Sequence, residues 1–411
     1  MSRPMRLAAG WTVVLVTAVL VNLLVVAPIA APESGVLGDA WSPTPQATIF
    51  PSSPPGYQDD DLPPIPHRPP SVSGVGSARP VQLAALPESD AMALQAATDR
   101  ARRQQGLQAL TVGVAVHGRL AWWGASGLAR DGETALDGRS PFAIASITKT
   151  FTAALVMQLV EERRVALDDE VAPLLPDTGV LDGVTVRQLL SHTSGVADLL
   201  TPMRDAMNAD PERRWTAAEV VTRVGRPWFA PGAGYGYSNT NFVLLGMLVE
   251  KLTGLPFETV LEERLLTPLE LQDTGVLLSD GAPFLMTPSW VSAFGTSGFM
   301  YSSAHDLLQW GEALYGGRVV RPATLAHMLA FGADGYGLGT ERVQLGTHAG
   351  YGHSGLLRGF TGLLVHLPQD EVTLVLIGTW QGFDPGTALT ATSAGQPSIL
   401  DAALAAAARD G

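Results

Sequence analysis

The chain has 411 residues, 46% apolar and 16% charged, which suffices for one large domain with extras or two ordinary domains around a sizeable core. Its 26 basic and 39 acidic residues give a net charge of −13, which excludes nucleic acid as the main partner, since phosphate binding needs a basic surface. Cysteine is absent, and with it thiolate nucleophiles, thiolate zinc sites, disulfides and lipid attachment to a cysteine.

Arg3 and Arg6 precede an apolar run from Leu7 to Ile29. A positive start before such a run reads as an export signal or a membrane anchor, and the run exceeds the roughly 18 residues that a spanning helix needs. No clean small-x-small cleavage site follows, so residues 1–31 are read as a signal peptide or an uncleaved anchor, with membrane association through residues 7–29. Either form places the rest of the chain outside the cytoplasm. Residues 32–85 read as a proline-rich tether: 13 prolines fall between Pro28 and Pro80, and proline favours extended, solvated backbone.

Residues 86–411 read as one domain of mixed structure. The pattern predicts a helix over Pro87–Gln105, strands over Leu110–Val116 and Leu120–Trp123 turned by His117-Gly118, and helices over Ile147–Glu162 and Asn241–Lys251. Strands over Phe360–His366 and Val372–Ile377 and an Ala-rich helix from about Ser398 to Arg409 complete it. Strands near both ends with helices between them indicate an α/β (α+β) fold, a sheet built from the two ends and covered by a helical insertion.

Three segments carry chemistry. In Ser146-Ile147-Thr148-Lys149, a helix starting at Ser146 puts positions i and i+3 on one face, so the amine reaches the hydroxyl, and the helix N-terminus offers donors to a developing oxyanion. The plain alternative is a capping serine beside a surface lysine. Only Lys149 and Lys251 are lysine in a chain that otherwise uses arginine, and Lys149 stands in an apolar stretch, which favours chemistry. Tyr237-Ser238-Asn239 follows a glycine-rich loop; a phenol beside an ammonium favours its phenolate form, and Asn239 offers a donor and an acceptor. Tyr351-Gly352-His353-Ser354-Gly355-Leu356 permits close backbone approach, and an edge strand there supplies a backbone N–H. Its likeness to a Gly-x-Ser-x-Gly elbow fails: Leu356 replaces the last glycine, and no acid lies between Ser354 and His366. His348 and His353 do not have metal-ligand spacing, and no His-Glu-x-x-His occurs, so no metal or cofactor is read. His192 reads as structural, Asp168-Asp169-Glu170 as a solvated or capping run, and Trp122, Trp123, Trp228 and Trp310 as core or cleft wall.

From about Leu86 onward, these three segments in this order, with Leu167–Val171, Leu189–Gly195, Leu244–Gly246 and Gly295–Asp306, resemble the serine β-lactamase and penicillin-binding-protein family, in its class C β-lactamase and DD-carboxypeptidase branch. The resemblance implies a mainly antiparallel sheet flanked by helices, with the third segment on an edge strand and the second on a helical subdomain. It implies Ser146 as acylated nucleophile, proton work shared by Lys149 and Tyr237, and an oxyanion hole of the Ser146 and Leu356 N–H groups. Asn239 and His353, with Ser354 and Gly355, would bind and orient the substrate. His353 stands where many relatives carry lysine and is mostly neutral near pH 7, which weakens the case for penicillin hydrolysis. The implied substrate is a D-alanyl cell-wall peptide. An esterase or weak β-lactamase, and a non-catalytic sensor of wall fragments, are the alternatives, with specificity set by loops such as Thr201–Pro231 and Ser279–Val291.

Overall fold

The computed structural model describes residues 80–410, apart from 130–131, 176–178, 278–285, 358, 380–382 and 394. The apolar run 7–29 and nearly all of the proline-rich stretch lie outside these residues. Among the described residues, no helix is long and apolar enough to cross a membrane. The fold begins slightly earlier than Leu86: Val81 is buried, and Gln82 and Ala84 exchange backbone hydrogen bonds with Leu120.

The strands are β1 (Ala109–Val116), β2 (Arg119–Gly127), β3 (Phe142–Ala143), β4 (Gly275–Val276), β5 (Met300–Ser302), β6 (Glu341–Leu345), β7 (His348–Leu357), β8 (Phe360–Leu367) and β9 (Val372–Gly378). The main sheet has the order β2-β1-β9-β8-β7-β6, and all its pairings are antiparallel. The two ends of the domain thus meet in its middle, where β1 pairs with β9. Every residue of β1 and of β9 is buried, because both faces of the sheet are covered. On one face lie α1 (Glu88–Gln104) and the C-terminal helix Ile399–Asp410, tied by the Arg409–Asp90 ion pair at 2.6 Å. On the other lies the helix Ala304–Tyr315, so close that a Cβ at Gly113 would meet Leu308 at 2.6 Å.

The helical part between β2 and β6 is built on α2 (Thr148–Glu161) and the helix Asn239–Thr253. Thr148 through Leu159 are all buried, as expected of a helix apolar on nearly every side. Trp310 stacks on Phe151 at 3.9 Å, tying this core to the sheet-covering helix. The Asn239–Thr253 helix ends at Gly254 with φ 75°, a left-handed cap that suits glycine. It starts two residues before the sequence expectation and ends two after.

Three local expectations need correction. β2 runs on to Gly127, past Trp123, because as the sheet's outer strand it keeps one side half-exposed and shows no clean alternation. Thr201–Pro231 is not a plain loop but holds the helices Leu200–Ala209 and Ala217–Val221, the latter started by a Thr216/Glu219 capping box. The third segment lies on β7, which is second from the edge rather than on it. β6 covers β7 only as far as the Glu341–Gly352 pair, so Ser354 to Leu357 form a locally uncovered edge.

Candidate active site

Ser146 is held by backbone geometry on both sides. β3 pairs with β5, and the Ile144 N–H donates to Met300 O at 3.0 Å. Ala145 then adopts φ 48°, a left-handed conformation that costs a non-glycine residue energy and turns the chain sharply. Ser146 follows in a 3₁₀ turn (Ala145–Ile147), and the α-helix begins only at Thr148. The expected helix start at Ser146 is therefore displaced by two residues. The contact survives because side chains at i and i+3 eclipse in a 3₁₀ turn: Lys149 Nζ is 3.0 Å from Ser146 Oγ.

Lys149 is fully buried, whereas Ser146 is half-buried and so reachable. Lys149 Nζ donates to Asn239 Oδ1 at 2.9 Å and to the Ser297 carbonyl at 2.6 Å. Burial lowers its pKa from 10.5 to about 7, against the opposing pull of the Asp198 and Glu341 carboxylates. A neutral amine has two N–H groups and one lone pair. With Asn239 and Ser297 taking the two N–H groups, the lone pair is left for the Ser146 hydroxyl.

Tyr237 is half-buried on the loop before the Asn239–Thr253 helix, with its ring centroid 4.9 Å from Lys149 Nζ and its phenol hydrogen-bonded to Ser146. Burial, reinforced by the Glu341 charge, pushes its pKa well above 10. This corrects the expected phenolate: desolvation of an anion outweighs the field of a nearby amine that is itself half neutral. A protonated phenol beside a largely neutral amine puts Tyr237 in a state to give a proton and Lys149 in a state to take one.

Asn239 serves the lysine. Its Nδ2 and its backbone N–H both donate to Asp198 Oδ2, at 2.9 and 2.5 Å, which turns Oδ1 toward Lys149. Burial raises the Asp198 pKa, while its hydrogen bonds from Asn239 and Leu200 oppose that. His192 backs Tyr237 with its ring 4.2 Å away. Its Nδ1 accepts from the Ser238 N–H and from Asn241 Nδ2, both at 3.1 Å, and burial keeps it neutral, in keeping with a structural role.

The third segment divides. Gly355 abuts the nucleophile's turn: a Cβ there would lie 2.4 Å from the Ile144 carbonyl oxygen. The Ser354 N–H leaves β7 on the β6 side and donates to Glu341 Oε2 at 3.0 Å. Strand alternation sends the Leu356 N–H to that same uncovered side, next to the Ser146 turn. His353, by contrast, has no exposed surface. Its Nδ1 lies 2.6 Å from the Ser354 carbonyl and its Nε2 2.9 Å from the Tyr336 hydroxyl, which fits an Nδ1–H tautomer accepting from Tyr336. Burial lowers its pKa, so it brings neither a charge nor a free nitrogen to the cleft; the expectation that it orients substrate by contact does not match this placement.

Asp198, Ser297, Tyr336 and Glu341 join the site without having been singled out in the sequence. Asp198 leaves a trace, an acid inside the apolar run Val196-Ala197-Asp198-Leu199-Leu200, and Ser297 falls within the segment Gly295–Asp306. Tyr336 and Glu341 leave none. A separate cluster of Asp273, His305 and Asp306 has metal-ligand spacing. Arg139 supplies the positive charge there, 3.2 Å from Asp273 and 3.1 Å from His305 Nε2.

A hydroxyl joined to a neutral amine and a phenol, beside backbone N–H donors, is equipped for acyl transfer. Comparison with known proteins agrees. A model of the Beta-lactamase family matches residues 91–396. Penicillin-binding protein 4 of Amycolatopsis lactamdurans is 29% identical over 318 residues, covering 68% of this chain and 82% of the relative. Esterase EstB of Burkholderia gladioli is 29% identical over 315 residues, covering 63% and 78%. The crystal structure of a D-stereospecific amidohydrolase from Streptomyces sp. is similar with a TM-score of 0.62 at 29% identity, over 74% of this chain and 99% of that one. On its matched span, its fold and its site, the chain belongs to the Beta-lactamase family and is a serine hydrolase.

Proposed function

We propose that the chain hydrolyses amide or ester bonds of D-amino-acid-derived acyl donors through an acyl-enzyme on Ser146. The observation that carries this reading is the 3.0 Å contact between Ser146 Oγ and an amine whose pKa is about 7. Lys149 takes the hydroxyl proton as Oγ attacks the carbonyl carbon. The Ser146 and Leu356 N–H groups receive the oxyanion. Tyr237 gives its proton to the leaving nitrogen or oxygen as the bond breaks, and the Lys149 ammonium returns a proton to the phenol. Water then attacks the ester carbon, gives up its proton to Lys149, and Ser146 leaves reprotonated.

The D configuration is supported by the similarity to the D-stereospecific amidohydrolase, and the ester by the similarity to Esterase EstB. A carboxypeptidase on D-alanyl wall peptides is the narrower form of this reading. It needs a positive charge for the departing carboxylate, and His353 supplies none, so the wider class is preferred. The apolar run Leu7–Ile29 and the proline-rich stretch support an exported domain held near the wall.

Ser146→Ala is expected to lose turnover of D-aminoacyl esters and amides and labelling by a fluorophosphonate, while circular dichroism stays native. Full activity in that variant would contradict the proposal. Stoichiometric binding of donors by the wild type without turnover would favour the non-catalytic sensor instead.

A further inference from the structure

The uncovered edge of β7 has a charge at one end. Glu341, the first residue of β6, sits where pairing with β7 stops. Its Oε2 accepts from the Ser354 N–H at 3.0 Å and from Ser354 Oγ at 2.9 Å. Its Oε1 lies 3.6 Å from His353 Nδ1, too far for a hydrogen bond, and that ring is neutral. Among the described residues, Glu341 has no lysine or arginine in an ion pair with it. Its side chain keeps 17% of its surface.

The direction in which a donor lies along this edge follows from the sheet. Every pairing in the six-stranded sheet is antiparallel. A peptide-like donor that adds to β7 in the same sense runs against it. With its scissile carbonyl at the Leu356 N–H, the part beyond the scissile bond points toward Ser354 and Glu341. Leu356 and Ser354 are two residues apart, roughly 7 Å along a strand, and a terminal group one residue past the scissile bond covers roughly 4–5 Å of that, which brings it toward the Ser354–Glu341 end.

We propose that Glu341 sets leaving-group specificity: it fixes a negative charge at the end of the cleft where the departing residue terminates, rejecting donors that end in a carboxylate and accepting donors that end in a neutral or cationic group. This rests on the reading of the cleft as an acyl-transfer site on Ser146. Ser354 supplies the donors that a substrate anion would need, and Glu341 already occupies them. The substrate class that follows is D-aminoacyl amides, esters and capped or amine-ended peptides rather than peptides with a free C-terminal carboxylate.

The test compares three donors that differ only in their last group: N-acetyl-D-alanyl-D-alanine, its C-terminal carboxamide, and its aminoethylamide. In the wild type, kcat/KM for the carboxamide and the aminoethylamide is expected to exceed that for the acid by at least about tenfold, the effect of a like charge at this range in a partly screened site. Glu341→Gln, which keeps an acceptor for Ser354, is expected to shrink the amide-to-acid ratio by about tenfold, mainly through a gain on the acid. Equal turnover of acid and carboxamide by the wild type overturns the proposal. So does an unchanged ratio in a folded Glu341→Gln enzyme. The wild-type series stands alone if that variant does not fold. Failure of the parent reading shows separately, as turnover that survives Ser146→Ala.

Discussion

Lys149→Met is expected to lower kcat/KM by on the order of 10²- to 10⁴-fold, the usual contribution of a positioned general base. Methionine fills nearly the same buried volume, so the loss reports chemistry rather than collapse. Lys149→Arg is expected to fall just as far, although it keeps the charge. A guanidinium does not deprotonate near neutrality and cannot accept the Ser146 proton. The pair of variants separates a base from a mere counter-charge, using steady-state kinetics on an ester donor with near-UV circular dichroism as the folding control. An arginine variant keeping more than about a tenth of the activity would contradict the assignment.

The same amine makes both rate and stability depend on pH. Acylation needs Lys149 neutral, so kcat/KM is expected to rise as pH passes about 7. The sign for stability follows from proton counts. The folded value of about 7 lies below the ordinary 10.5, so between those pH values the unfolded chain holds a proton that the folded one lacks. Stability due to this group therefore rises with pH across that window, by about 5 kcal/mol at 1.36 kcal/mol per pH unit. Above about pH 10 the trend reverses, because Tyr237 and Tyr336 ionise in the unfolded chain while burial keeps them protonated in the folded one. Lys149→Met removes this pH-dependent contribution and, at a cost that does not vary with pH, the hydrogen bonds to Asn239 and Ser297. The gap in melting temperature between variant and wild type is therefore expected to move in the wild type's favour as pH rises from about 7 toward 10. A gap independent of pH would mean that the lysine is not held neutral.

What was readable in the sequence was local. Ser146 and Lys149 meet through a three-residue spacing that either a 3₁₀ turn or an α-helix brings together, so the contact survived an error in the helix start. The runs Leu110–Val116 and Val372–Ile377 were legible as strands because both faces of that sheet are covered and the apolar run is unbroken. Their pairing at the centre of the sheet was legible only as strands near both ends of the domain. What escaped was made by topology. The Ser297 oxygen that holds Lys149 is a backbone atom and leaves no trace in residue type. Tyr336 and Glu341 reach the site through β6 and the turn before it, which carry no local signature of their own. The state of Tyr237 was misjudged because an adjacent amine is visible in a motif whereas desolvation is visible only in a fold.

The central claim is that the Lys149 amine is largely neutral when it meets the Ser146 hydroxyl. The chain has only two lysines, Lys149 and Lys251, so protein made with lysine isotope-labelled at Cε should show two signals in an NMR titration. The Lys149 signal, identified by its absence from Lys149→Met, is expected to titrate near pH 7. A Lys149 signal that titrates above pH 10 would contradict the account, since the amine would then be an ammonium with no lone pair to take the proton.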